Sequence, residues 1–386
     1  MSDIDSIDAL NNHIRFNPVG QIEDMDRNKA FEAVARLRHR PIALEIERCM
    51  SIGSFQDNEL VAKSDLSQDG GMVTALMSTP YVKDSANNPI VSLQAFSFSD
   101  LDTLDPLRKF FPAPNVRPVA LHGSTAMLNN SVRFVAFFPD SIIGKLPKGY
   151  ADGIYFCAKF VEAYKTRVLP LLNRLWSQKA FPALRQATPH QLHQAVAIWV
   201  HLHEYHHCHT LLTIDEYQKV KSTRLSGAFE ELRVDLCAML SHIEPCVGTE
   251  LSQLVFEFIL VYRLVYYGSS FDPRCDYDAV TSVALYNFLA DAEAIRSTED
   301  GEYMFTGPTH LGDALQGALD RLTLTEQTVS ERLQHTKSEA EQIRQRKVFE
   351  EMMCSLCRAA SKSVVQRGAF HLEHALALSP ELADVD

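Results

Sequence analysis

Two histidines four residues apart, His203 and His207, with Glu204 directly after the first, form a His-Glu-x-x-His pattern that makes chemical sense only on a helix. At 3.6 residues per turn, positions four apart lie about 40° apart around the axis and roughly 6 Å along it. Both imidazoles therefore reach one cation, while Glu204, one position along, stands where it polarises a metal-bound water instead of ligating. Upstream, Thr188-Pro189-His190-Gln191 reads as a helix start: Thr188 caps, Pro189 takes the first turn and Gln191 closes a capping box. Leu192, Val196, Trp199 and Val200 share the stripe of His203 and His207, so the two ligands are expected to face an interior. His201, His206 and His209 point elsewhere and are expected at the surface, solvated or supporting the ligands.

A third ligand is expected from the segment Ser226 to Leu236. Glu231 and Asp235 fall one turn apart on a second helix, among apolar Ala228, Leu232, Leu236 and Met239. Glu231 completes a two-histidine, one-carboxylate set, and Asp235 accepts the second ring N–H of a ligand histidine, fixing its tautomer. The competing reading makes Glu230, Glu231, Asp235 and Arg233 the solvated face of an amphipathic helix. The apolar histidine helix just upstream favours a site.

The helix carrying His203-Glu204-x-x-His207 followed by one carrying Glu230-Glu231-Leu232-Arg233-Val234-Asp235 resembles a gluzincin metallopeptidase, and the second segment is similar to that of the dipeptidyl peptidase III family. That family has one more residue between its histidines, so the likeness is to the site. It implies zinc on His203, His207 and Glu231, Glu204 as general base and Asp235 supporting a histidine. A nearer likeness, over roughly residues 120–290, is to an uncharacterised bacterial family with His-Asp-x-x-His, then Gly-Leu-Glu-Glu-Leu-Arg-x-Asp-Leu and Arg-Asn-Tyr-Asp. The matching stretches here are His203 to His207, Gly227 to Leu236 and Arg274-Cys275-Asp276-Tyr277-Asp278. Asp in the base position reaches about 1 Å less far than Glu, and proton transfer is exacting in geometry. That family therefore bears more firmly on the metal than on hydrolysis.

A net charge of -12 argues against an extended nucleic-acid surface, which needs clustered Lys and Arg. No run of 18 apolar residues spans a bilayer, and Met1 to Ser6 lacks the basic and apolar regions of a signal peptide. A cytoplasmic protein without membrane contact is expected. The eight cysteines then read as buried thiols, including the Cys354-x-x-Cys357 pair, whose redox reading lacks a βαβ context.

Helical spacing of three and four marks residues 28–38 and 42–50; β-rich runs follow at 91–98 and 132–138. Asn129 and Asn130 before the second run read as a turn or as edge donors to an extended peptide. Helical patterns then dominate over 156–176, 189–210, 226–243, 249–267, 278–294 and 324–367. The last is polar on most faces, either a helix capping the bundle or an exposed arm offering a site to a protein partner. The expected architecture is α+β: a mixed lobe at 1–155 with a small antiparallel sheet, a helical metal-binding core at 156–300 and a C-terminal helical segment at 301–386, with the site in a groove between sheet and helices.

Hydrolysis of a peptide or amide bond with zinc is the leading expectation. Tyr277 is the candidate oxyanion donor and Arg274, then Arg263, the candidate cation for a substrate carboxylate; the tyrosines at 262, 266 and 267 otherwise pack with hydroxyls toward the surface. Iron is the alternative metal, because the same donor set serves non-haem oxygenases acting on a small molecule or peptide. A closed structural clip is the third reading, and it would want a fourth protein ligand.

Overall fold

The computed structural model describes residues 2–64, 71–83, 89–101, 104–112, 116–130, 135–147, 153–270, 276–335 and 338–358. The architecture is α+β with a helical majority, and the chain divides into two compact units. One comprises Met1–Asp102 with Pro114–Phe160, the other Thr103–Ala113 with Val161–Asp386.

The first unit is built on a six-stranded sheet in the order Ala136–Phe137, Gly153–Phe156, Val116–Ser124, Pro89–Asp100, Met72–Lys83, Ile142–Ile143. Neighbours are antiparallel except Val116–Ser124 with Gly153–Phe156, which run parallel. The period-two alternation of strand side chains sends Leu93 and Ala95 to one face, against Ile7, Leu10, Val34, Ile46 and Phe55 of the N-terminal segments. Phe96 and Phe98 go to the other face, where Phe96 meets Phe137 and Phe156 edge-on at 5.5 and 5.0 Å. Asn129 and Asn130 end a short helix, Ala126–Asn130, instead of edging a strand.

The second unit is a helical assembly. Its central layer comprises Pro189–His207, Arg224–Leu240, Thr249–Val261 and Tyr277–Asp291, covered by Pro308–His335 and Glu339–Arg358. The continuous helix expected over 324–367 is in fact two. Ser338 opens the second, its hydroxyl accepting the Glu341 N–H at 3.3 Å, and such an N-cap stops the preceding helix from running on. Residues 359–386 lie outside the described residues. Both helices bury an apolar edge: Leu315, Leu322 and Val329 on the first, Phe349 and Met353 on the second, with Phe349 4.4 Å from Phe229 between ring centres. Cys354 and Cys357 are buried on that edge, in keeping with helix packing. Among the described residues no helix is long and apolar enough to cross a membrane.

Candidate metal centre

The histidine helix begins as its sequence dictates, with Thr188 and Gln191 closing a reciprocal capping box ahead of Pro189. From Ala195 to Leu202 every residue is buried. This overturns the surface placement of His201, which is 2 % exposed with Nε2 2.7 Å from the Phe111 carbonyl oxygen. A helix enclosed on all sides has no solvent face to offer, whatever its angular position. His206 is half-buried with Nε2 2.9 Å from Ser241 Oγ, and burial, with Arg233 nearby, pushes its pKa down to about 4. His209 is exposed, as expected, and stacks on Tyr205.

His203, His207 and Glu231 come together at the end of this helix, with ligand atoms all within 4.8 Å of one another. His203 Nε2 stands 3.0 Å from His207 Nε2 and 3.4 Å from Glu231 Oε2, while His207 Nε2 stands 3.6 Å from Glu231 Oε1. Three donors each about 2.0–2.1 Å from a tetrahedral cation must lie about 3.3–3.4 Å apart. The triangle therefore fits a metal ion of zinc's size.

The outer ring nitrogens show which way the lone pairs point. His203 Nδ1 lies 2.8 Å from Asp235 Oδ1, and His207 Nδ1 lies 3.2 Å from Glu230 Oε1. Each Nδ1 donates to a carboxylate, so in the neutral rings both Nε2 lone pairs face Glu231, an arrangement that suits a cation at its centre. Without a metal, burial pulls the His203 imidazolium down, but Asp235 and Glu231 outweigh it and hold its pKa up at about 9.

Neither supporting carboxylate lies on a solvated face. Asp235 is 0 % exposed, and Glu230 and Arg233 are buried with it. Burial opposes the charge on Asp235, yet Arg263 and His203, helped by the Trp199 indole N–H at 2.8 Å, keep its carboxyl well below the usual range. Glu230 is held down likewise by Lys221 beside it, by His207 and by Arg233. Of these partners Lys221 is not legible in the sequence, nor is Tyr217, whose hydroxyl lies 3.4 Å from His207 Nδ1.

Arg263 does not stand ready for a substrate carboxylate. It is 1 % exposed, paired with Asp235 and Asp278, and within 2.9 Å of Thr281 Oγ1 and 3.4 Å of Glu231 Oε2. Its reach comes from a π-helical turn, Tyr262–Tyr267, that continues Thr249–Val261 and widens the helix where such turns often serve a site. Within it Tyr262 and Tyr266 are buried, so their rings are core and not surface-seeking as expected.

Glu204 is half-buried, and its charge is felt by both His203 and Tyr217. Tyr277 is 46 % exposed at the first position of Tyr277–Asp291, whose N-cap is Asp276. Arg274 lies outside the described residues.

No protein-family model matches the sequence, and no curated protein matches it. Solved structures do. DPP III from Caldithrix abyssi superposes with a TM-score of 0.57 at 11 % identity, over 95 % of this chain and 72 % of that one. Dipeptidyl-peptidase III from Corallococcus sp. strain EGB gives 0.49 at 13 %, over 97 % and 71 %. The first superposition makes the fold dipeptidyl peptidase III-like, in keeping with the resemblance read from the two helices.

Proposed function

We propose that this chain is a zinc-dependent hydrolase acting on a peptide or amide bond. The observation that carries the reading is the His203, His207 and Glu231 triangle at tetrahedral spacing, with both remaining ring nitrogens engaged by buried carboxylates. The fold supports it, since it is shared with a chain described as DPP III.

Zinc held by His203, His207 and Glu231 would supply a Lewis acid that activates water near neutral pH. Glu204 takes up a proton on its carboxylate and gives it to the leaving amine, the task of a general base beside the first histidine. Asp235 and Glu230 keep each ring in the tautomer that turns Nε2 inward. Tyr277 is the hydroxyl donor proposed to steady negative charge on the substrate, and Arg274 the cation for its carboxylate. Among the described residues three protein donors converge and leave an open position, which favours a catalytic over a closed structural site. They also suit ferrous iron, so an oxygenase acting on a small molecule or peptide is the second reading.

Cys49, Cys157 and Cys357 are buried thiols, which supports a cytoplasmic location, where thiols stay reduced. The deciding experiment is metal analysis of protein purified without added metal, joined to turnover of a peptide library. Stoichiometric zinc with hydrolysis that Glu204→Gln abolishes supports the proposal. Iron with oxygen uptake, or full hydrolysis by Glu204→Gln, overturns it.

A further inference from the structure

We infer that Glu326, on the helix Pro308–His335, is a positioning residue for the metal centre, acting through Lys221 and Glu230 on His207. The inference rests on the metal-binding reading above. Lys221 Nζ is fully buried between Glu230 Oε2 and Glu326 Oε1, the latter at 2.6 Å. Arg233 bridges the same two acids, 2.6 Å from Glu230 Oε1 and 3.8 Å from Glu326 Oε2. Thr210 Oγ1 donates to Glu326 Oε1 at 2.6 Å. The cluster thus holds two acids and two bases, all buried, with formal charges that cancel.

Glu230 Oε1 is the atom that faces His207 Nδ1. With Glu326 present, Lys221 divides its hydrogen bonds between two carboxylates, while Arg233 hydrogen-bonds Glu230 through Nε and Nη2 and is 3.8 Å from Glu326, so Glu230 Oε1 is shared between Arg233 and the imidazole. Neutralising Glu326 turns the Lys221 charge on Glu230 and draws its lone pairs away from His207. A buried ionic cluster is also a weak device for merely joining helices, because desolvation offsets most of its attraction. Its place directly behind a ligand gives it a different use: a residue far along the chain sets the orientation of one histidine.

The test compares Glu326→Gln with Glu350→Gln. Glu350 accepts from Thr223 Oγ1 at 2.8 Å, a contact of the neighbouring helix that does not touch Glu230. For each protein, zinc affinity is measured by chelator competition, metal-free melting by circular dichroism, and the His207 ring by long-range nitrogen NMR. Glu326→Gln is expected to weaken zinc binding about 10- to 100-fold and to disturb the His207 tautomer even without metal. Glu350→Gln is expected to change neither. Wild-type zinc affinity in a folded Glu326→Gln, or equal weakening in Glu350→Gln, overturns the inference. Should Glu326→Gln not fold, Thr210→Val, which removes one donor to Glu326, is expected to weaken zinc several-fold; no change overturns the inference. A wild-type chain that binds neither zinc nor iron overturns the metal reading itself, an outcome distinct from both.

Discussion

Asp235 Oδ1 accepts two hydrogen bonds, from His203 Nδ1 and from the Trp199 indole, each at 2.8 Å. Both donors sit on the helix Pro189–His207, one turn apart, so a single carboxylate oxygen fixes that helix's rotation as well as one ligand's tautomer. Asp235→Asn keeps the shape but can present its NH₂ to the ring, reversing the bond. Metal affinity is expected to fall about 10- to 100-fold, as a chelator titration with the unaltered chain as reference would show.

Glu204→Gln separates the two roles around the first histidine. The variant is expected to retain full metal content while hydrolysis drops by about 10²–10⁴. Metal lost together with activity would instead make Glu204 part of the binding set.

His203→Ala, His207→Ala and Glu231→Gln should each abolish stoichiometric metal uptake. Their folded cores should remain, because all three side chains are only partly buried, at 16 to 20 % exposure. Circular dichroism beside elemental analysis distinguishes a lost ligand from a lost fold.

The metal-free protein should lose stability as the solution turns basic. The His203 pKa is raised from 6.5 to about 9 by Asp235 and Glu231 against the pull of burial. The stabilising imidazolium is fully present below pH 6.5 and is lost as pH rises through 9. The loss should be about 3 kcal/mol, and metal, which needs the neutral ring, should bind more tightly over the same interval. Melting curves from pH 6 to 10 with and without zinc check both signs; a flat metal-free profile contradicts them.

Arg263→Met should be strongly destabilising, by about 3–5 kcal/mol, because buried Asp235 and partly buried Asp278 would lose their common partner. Denaturant titration measures the loss. Lowering the pH should restore part of it by protonating the orphaned carboxyls.

What is legible in the sequence follows helical spacing. His203 with His207, and Glu231 with Asp235, sit at i and i+4, so a pattern confined to single helices exposes the three candidate ligands and the acid behind His203. Lys221 to Glu326 spans 105 positions, and only tertiary packing brings them together. His201 was misplaced because angular position says nothing about what covers a helix, and here the Phe111 main chain does. Arg263 was misjudged because an apolar run reads alike in α and π geometry. Ser338 sits in a stretch of uniform polarity, which hid the break between Pro308–His335 and Glu339–Arg358.

The π turn at Tyr262–Tyr267 amounts to one residue more than a regular helix of the same span would hold. Deleting a single amino acid within it would restore ordinary winding and swing Arg263 about 100° around the axis, away from Asp235. The centre is thus exposed to a frame error in a helix that supplies none of its ligands. Relatives that lack that one residue should be sought among chains that keep the fold but have lost the metal.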